Sequence, residues 1–184
     1  MITTLVNPKT ETYQHVKYGI LSDTFPWYYQ DNVVTNDLTI GEGHRNFSCF
    51  YNRLLSRAAT TNERRQGIGH KYPTSTNFEH MELFEKMLDE IWDANGIDVN
   101  VIYRISVNLV YPQNGIQHAP KHTDHDYPHT NLLIYFTDSG GKTVYDKYEH
   151  DPQEDDIIAF DGLGEHYYHL PKENRRVVLV ATYA

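Results

Sequence analysis

Hydrophobic positions recur at helical intervals over residues 74–96, where Phe78, Met81, Phe84, Leu88, Ile91 and Trp92 share one face. Thr76 and Glu79 have capping-box spacing, and Gly96 can close the helix. The pattern predicts an amphipathic support helix with an acidic outer face. After it the period changes to two. In VIYRISVNLVY (101–111), Val101, Tyr103, Ile105, Val107, Leu109 and Tyr111 fall on one side, which predicts a long strand with one buried face. Asn114-Gly115 then turns the chain. Further strands are predicted at 131–137, 142–145, 156–160 and 176–183, separated by Gly140-Gly141, Pro152, Gly162 and Gly164. Earlier, YGILSDTFPWYY predicts a short strand and then a helix entered through Ser22 or Asp23, with Phe25, Trp27 and Tyr28 as core aromatics. A helix-rich first half followed by many short strands predicts a mainly β fold with supporting helices. Antiparallel strands closing on themselves would leave a mouth for a site.

At 184 residues the chain fits a single domain, 1–184, with residues 1–100 as helical support and substrate-facing segments and 101–184 as the barrel core. No apolar run reaches the length of a membrane span, and MITTLVNPKTETYQ lacks the pattern of a signal peptide, so the expected location is cytoplasmic. Cys49 is the only cysteine, so an internal disulfide and a cysteine-rich zinc site are excluded. Any metal must use His, Asp or Glu. The net charge of −9 works against binding nucleic acid, but residues 45–71 carry six cations (Arg45, Arg53, Arg57, Arg64, Arg65, Lys71) against Glu63 alone. This segment reads either as a solvated surface or as a substrate-facing patch for an acidic partner. Its glycines and weak hydrophobic periodicity predict a mobile flap over the site.

The segment HAPKHTDHDYPH (118–129) gathers four histidines and two aspartates. Four imidazoles so close together cannot all be satisfied in one core. On a helix His118 and His122 could share a zinc ion, but Pro120 between them removes a helical hydrogen bond. In an extended segment, residues two apart point the same way, so His122 and Asp124 project together. An imidazole and a carboxylate side by side make two thirds of the facial triad that holds non-haem Fe(II). His166 and His169 are both candidates for the third ligand.

Further landmarks follow the same order along the chain: Tyr111-Pro112-Gln113-Asn114-Gly115 before His122-Thr123-Asp124, then Tyr135-Phe136-Thr137, Gly140-Gly141-Lys142-Thr143, His166 and Arg176. Over about residues 101–184 this resembles the Fe(II)- and 2-oxoglutarate-dependent dioxygenase superfamily, in particular the small, prolyl 4-hydroxylase-like members of phages and bacteria. The resemblance implies a double-stranded β-helix core of the jelly-roll or cupin-like kind. It implies His122, Asp124 and His166 as catalytic metal ligands, with His166 preferred to His169 because ten positions separate it from Arg176. It implies Arg176 as the cation for the far carboxylate of 2-oxoglutarate, with Tyr135 donating to the same group and Tyr111 lining the pocket.

The implied cofactors are Fe(II), 2-oxoglutarate as co-substrate and O2, with ascorbate as an optional reductant. The implied reaction hydroxylates a C–H bond of a protein side chain, proline foremost by analogy, or of a small molecule, and releases succinate and CO2. Two alternatives stay open, a nucleic-acid-modifying oxygenase and a non-oxygenase cupin-like metal-binding protein. Oligomeric state is not legible in the sequence.

Overall fold

The computed structural model describes residues 1–30, 47–59, 61–65, 67, 70–75 and 78–184. Its main sheet takes strands from both halves of the chain. In order across the sheet these are β1 (Thr3–Leu5), β9 (Ile157–Asp161), β6 (Thr130–Tyr135), β11 (Arg176–Tyr183), β5 (Ile102–Val110), β3 (Cys49–Ser56) and β2 (Tyr28–Gln30), with β4 (Thr74–Ser75) paired to β3. All of these pairings are antiparallel. A second sheet holds β10 (His166–Tyr168), β7 (Thr143–Tyr145) and β8 (Tyr148–His150). Residues 117–122 extend this sheet along β10: Ala119 N–H donates to Tyr168, Leu170 N–H donates to Gln117, and His122 and His166 exchange both backbone hydrogen bonds. Two facing antiparallel sheets of this kind form the double-stranded β-helix, so the predicted fold class is the observed one.

The two faces of the main sheet have different tasks. Val107 and Leu109 of β5, Leu132 and Ile134 of β6, and Val177, Leu179 and Ala181 of β11 face helices α1 (Glu11–Leu21) and α3 (Phe78–Ala94). There they meet Tyr13, Val16 and Ile20 of α1 and Met81, Phe84, Met87, Leu88, Ile91 and Trp92 of α3. At about 1.5–3 kcal/mol for each fully buried aliphatic or Phe side chain, this layer supplies most of the apolar driving force. The opposite face, carrying Leu133, Val178 and Val180, turns toward the second sheet and encloses a cavity.

Helix α3 lies within its predicted span. Thr76 of the capping box lies outside the described residues. The N-terminal reading is corrected: Gly19-Ile20-Leu21 end a helix that the sequence reading placed after Ser22. Thr10 caps α1 by accepting from Tyr13 N–H at 3.2 Å, and Ser22 closes it by donating from Oγ to the Gly19 carbonyl at 2.7 Å. Tyr13, Val16, Lys17 and Ile20 make the i, i+3, i+4, i+7 stripe that settles the matter. Tyr28, predicted as core, is 56% exposed.

The flap expectation also fails for residues 49–56, because β3 is an interior strand paired on both sides; Arg45 lies outside the described residues. A short helix, α2 (Thr61–Arg65), follows it. No helix among the described residues is long and apolar enough to cross a membrane.

Candidate active site

His122 and His166 meet because their backbones do. They form one hydrogen-bonded antiparallel pair, His122 N–H to His166 O at 3.0 Å and His166 N–H to His122 O at 2.9 Å, and their rings lie 4.5 Å apart. Pro120 offers no N–H to this ladder and interrupts it, so residues 118–122 are extended rather than helical. The chain then bends at Asp124 and turns its carboxylate back between the two imidazoles. One ligand atom from each of His122, Asp124 and His166 lies within 4.8 Å of the others.

The polar contacts leave one lone pair of each residue for a metal. A backbone carbonyl can only accept, so His122 Nδ1 donates to Pro120 O at 3.0 Å and His166 Nδ1 donates to Gly164 O at 3.4 Å. Each imidazole thus carries its proton on Nδ1 and offers Nε2. Asp124 Oδ1 accepts from Arg104 Nη2 at 2.6 Å, while Oδ2 is buried, has no hydrogen-bond partner among the described residues and lies 3.5 Å from His166 Nε2. Burial raises the Asp124 pKa, but the Arg104 guanidinium and the two imidazoles more than reverse this and hold the carboxyl well below its usual range. Burial pushes the His166 imidazole down to about 4, with the neighbouring His122 adding to the shift. An ionised carboxylate and two neutral imidazoles are the donor set of the two-histidine, one-carboxylate iron site, and an orphaned buried oxygen is what a missing cation would leave.

The same cavity, about 160 Å³, is lined by Arg176. This side chain is 4% exposed and is held by its surroundings: Nε donates to Gly141 O at 3.3 Å, Nη2 donates to Thr143 Oγ1 at 3.1 Å, and the guanidinium lies 4.4 Å from the Tyr168 ring centroid. Gly141 has φ +83°, and a Cβ there would come within 2.6 Å of His169 O and 3.1 Å of Arg176 Cδ, so only glycine leaves room for this arginine. Among the described residues no carboxylate pairs with Arg176. A buried guanidinium without a counter-ion is a seat for an anionic ligand.

Of the residues predicted from sequence, His122, Asp124, His166 and Arg176 come together in this cavity. Tyr135 lies beside them, its ring 5.3 Å from the Arg176 guanidinium and its hydroxyl 2.7 Å from Thr143 Oγ1, but Thr143 is the group that lines the cavity. Tyr111 does not belong to the site: it is 48% exposed and packs edge-on against Phe50. Alternation along β5 explains this. Arg104, Ser106 and Asn108 line the cavity, so the odd-numbered residues leading to Tyr111 belong to the other face.

His169 pairs with His118 across the strands and is not part of the cluster. His125 and His129 are buried behind Asp124, where His125 Nε2 bonds Thr182 Oγ1 at 2.8 Å and its ring stacks on Tyr127. Arg175 points away from the cavity and donates to Leu21 O.

Sequence reasoning missed Arg104, Thr143 and Tyr168, and also Tyr51 of β3, and named Arg53 only as one cation of the basic stretch 45–71. The signal for Arg104 was present in the polar set Arg104, Ser106 and Asn108 alternating through an otherwise apolar strand. Such a set ordinarily marks a solvent face, and only closure of the second sheet over it makes it a cavity wall.

No family model matches the chain, and no curated protein matches it. Solved structures do. A 2OG-Fe(II) oxygenase family oxidoreductase from Burkholderia pseudomallei aligns over 100% of this chain and 84% of its own, with TM-score 0.68 and 15% identity. A non-haem α-ketoglutarate-dependent epimerase from nogalamycin biosynthesis aligns over 100% of this chain and 77% of its own, with TM-score 0.54 and 9% identity. The overlap with a viral collagen prolyl hydroxylase from Paramecium bursaria Chlorella virus-1 is partial, with TM-score 0.45 over 60% of this chain and 76% of that one at 16% identity. The first two likenesses establish that this chain has the fold of the 2OG-Fe(II) oxygenases. An oxygenase-family protein and an epimerase share it, so the fold alone does not select the reaction.

Proposed function

We propose that this protein is an Fe(II)- and 2-oxoglutarate-dependent dioxygenase that hydroxylates a C–H bond and releases succinate and CO2. One observation carries the reading: among the described residues, a single cavity contains an unpartnered carboxylate oxygen beside two imidazoles, and also a buried guanidinium with no carboxylate of its own. Bound Fe(II), with 2-oxoglutarate and O2, would supply the oxidising power.

The chain's own residues then have definite tasks. His122 Nε2, Asp124 Oδ2 and His166 Nε2 would hold the metal. The Pro120 and Gly164 carbonyls keep both imidazoles in the ligating tautomer. Arg104 occupies Asp124 Oδ1, so the carboxylate offers a single oxygen. Arg176 takes the far carboxylate of 2-oxoglutarate with two directed N–H groups, and the Thr143 hydroxyl, supported by Tyr135, adds a third contact. Leu133, Val178 and Val180 wall the seat with hydrocarbon, which keeps water away and strengthens these contacts.

A cupin-like metal-binding protein would share the barrel and the donors but has no use for Arg176 in this position. A prolyl substrate rests on the sequence landmarks alone. Incubating the protein with Fe(II), ascorbate and 2-oxoglutarate in air tests the reading. Slow succinate formation is expected, abolished in Asp124→Ala; succinate formed equally by wild type and Asp124→Ala would refute it.

A further inference from the structure

His166 is delivered by the turn between β9 and β10, residues 162–165, and two glycines of that turn are met by buried rings. A Cβ on Gly164 would fall 2.6 Å from the Tyr145 hydroxyl oxygen and 2.7 Å from Tyr145 Cζ, and one on Gly162 would run into the His129 imidazole. Neither glycine has a left-handed φ, so conformation is not what demands glycine here. What both positions require is space. Tyr145 and His129 are 8% and 6% exposed, and rings packed this tightly yield only by disturbing the core.

Tyr145 reaches the ligand His166 by two routes. It is the register partner of His166 in the β7–β10 pair, and its ring lies 4.9 Å from that of Phe160, which in turn packs edge-on against the His166 imidazole at 5.1 Å. The tip of the same tyrosine ring fills the space over Gly164, whose carbonyl accepts from His166 Nδ1. One route sets the plane of the imidazole, and the other sets which nitrogen carries its proton. Tyr145 does not itself line the cavity, so it acts on the site only through these neighbours.

Resting on the metal site described above, we propose that Tyr145 is a positioning residue for His166: seated between Phe160 and Gly164, its ring holds the imidazole with Nε2 turned to Asp124 Oδ2. A smaller side chain at 145 releases Phe160 and with it the imidazole. Any side chain at 164 displaces the turn and carries the Gly164 carbonyl off Nδ1. Losing a group that orients a metal ligand costs about 10–100-fold in metal affinity.

Calorimetric titration of the metal-free protein with Co(II) alone tests the proposal, below the melting temperature of every variant. There a loss of fold stability alone leaves the dissociation constant unchanged. Tyr145→Leu and Gly164→Ala should each weaken Co(II) binding by about tenfold or more. Tyr145→Phe keeps the ring and should restore wild-type affinity. Leucine at 145 leaves room for a Cβ at 164, so the double variant should bind no more weakly than Tyr145→Leu alone. Should Gly164→Ala fail to fold, Tyr145→Leu against Tyr145→Phe carries the test. Wild-type affinity in Tyr145→Leu, whatever its melting temperature, overturns the proposal, as does equal weakening in Tyr145→Phe. No Co(II) binding by wild type overturns the proposal and the metal site together. The expected variant pattern in a protein that forms no succinate would keep this proposal and sink the oxygenase reading.

Discussion

Arg104 Nη2 and Asp124 Oδ1 lie 2.6 Å apart in an ion pair whose carboxylate is 6% exposed, and Oδ2, 3.5 Å from His166 Nε2, has no hydrogen-bond partner among the described residues. Breaking one side of a buried pair leaves an uncompensated charge, at a cost of about 3–5 kcal/mol. Arg104→Met should therefore lower the thermal stability of the metal-free protein. A divalent ion at the site would replace the missing positive charge, so adding Mn(II) should raise the melting temperature of Arg104→Met by more than that of wild type. Arg104→Lys should fall between the two. Equal metal-induced shifts in all three proteins would mean that Arg104 does not govern the carboxylate.

The second prediction separates the three histidine and carboxylate positions of the cluster from a near neighbour. His122→Ala, Asp124→Ala and His166→Ala should each lose metal binding and succinate formation, while His169→Ala should retain both, since His169 pairs with His118 outside the cluster. Metal content after reconstitution, measured by atomic absorption, checks this. Loss following His169 in place of His166 would reassign the third ligand.

How these positions could be found from sequence depends on how local their causes are. His122 and Asp124 were legible because two residues in an extended segment share a side, and Pro120 removes the helical alternative. Arg176 was legible through the family resemblance, which implies a cation directly ahead of the apolar run VVLVATY. Tyr111 was misplaced because a period of two states which residues share a face but not which face is the inside. On β5 both faces are covered, the odd one by helices and the even one by a second sheet built from strands between residues 143 and 168. The place of Tyr51 and Arg53 in the cavity wall was hidden for a related reason: β3 meets β5 through pairing between distant parts of the chain. The start of α1 was missed although Thr10 and the stripe Tyr13, Val16, Ile20 announced it, because the aromatic run after Ser22 drew the helix too late.

Co-substrate binding should discriminate between adjacent arginines. Arg176→Ala should raise the KM for 2-oxoglutarate by about a hundredfold, since a buried carboxylate would lose a bidentate charged partner worth roughly 3 kcal/mol. Arg175→Ala should change it less than about twofold, because its side chain reaches Leu21 O on the far side of the strand. Steady-state kinetics with varied 2-oxoglutarate settles the order, and a larger effect at Arg175 would contradict the observed strand register.

Acid should destabilise the metal-free protein through its buried imidazoles. Burial, aided by the Arg104 charge, pushes His125 down to about 3, while the unfolded chain titrates near 6.5. Below about pH 6.5 the unfolded state takes up a proton that the folded state refuses, so stability falls from there toward about pH 3. Between pH 7 and 5 the loss from His125 should be about 1–2 kcal/mol. Urea midpoints for wild type and His125→Gln across this range test it: the variant should show a flatter acid side, and parallel curves would remove His125 as a cause.

The central claim is that one cavity holds Fe(II) on His122, Asp124 and His166 and 2-oxoglutarate on Arg176. Anaerobic titration of the protein and Fe(II) with 2-oxoglutarate tests it directly, because the keto acid chelated to Fe(II) gives a weak visible charge-transfer absorption that neither partner shows alone. The account predicts a band that saturates at one 2-oxoglutarate per chain, disappears in Asp124→Ala, and needs far more co-substrate in Arg176→Ala. No band at saturating Fe(II) and 2-oxoglutarate, or a band unchanged in Asp124→Ala, would contradict it.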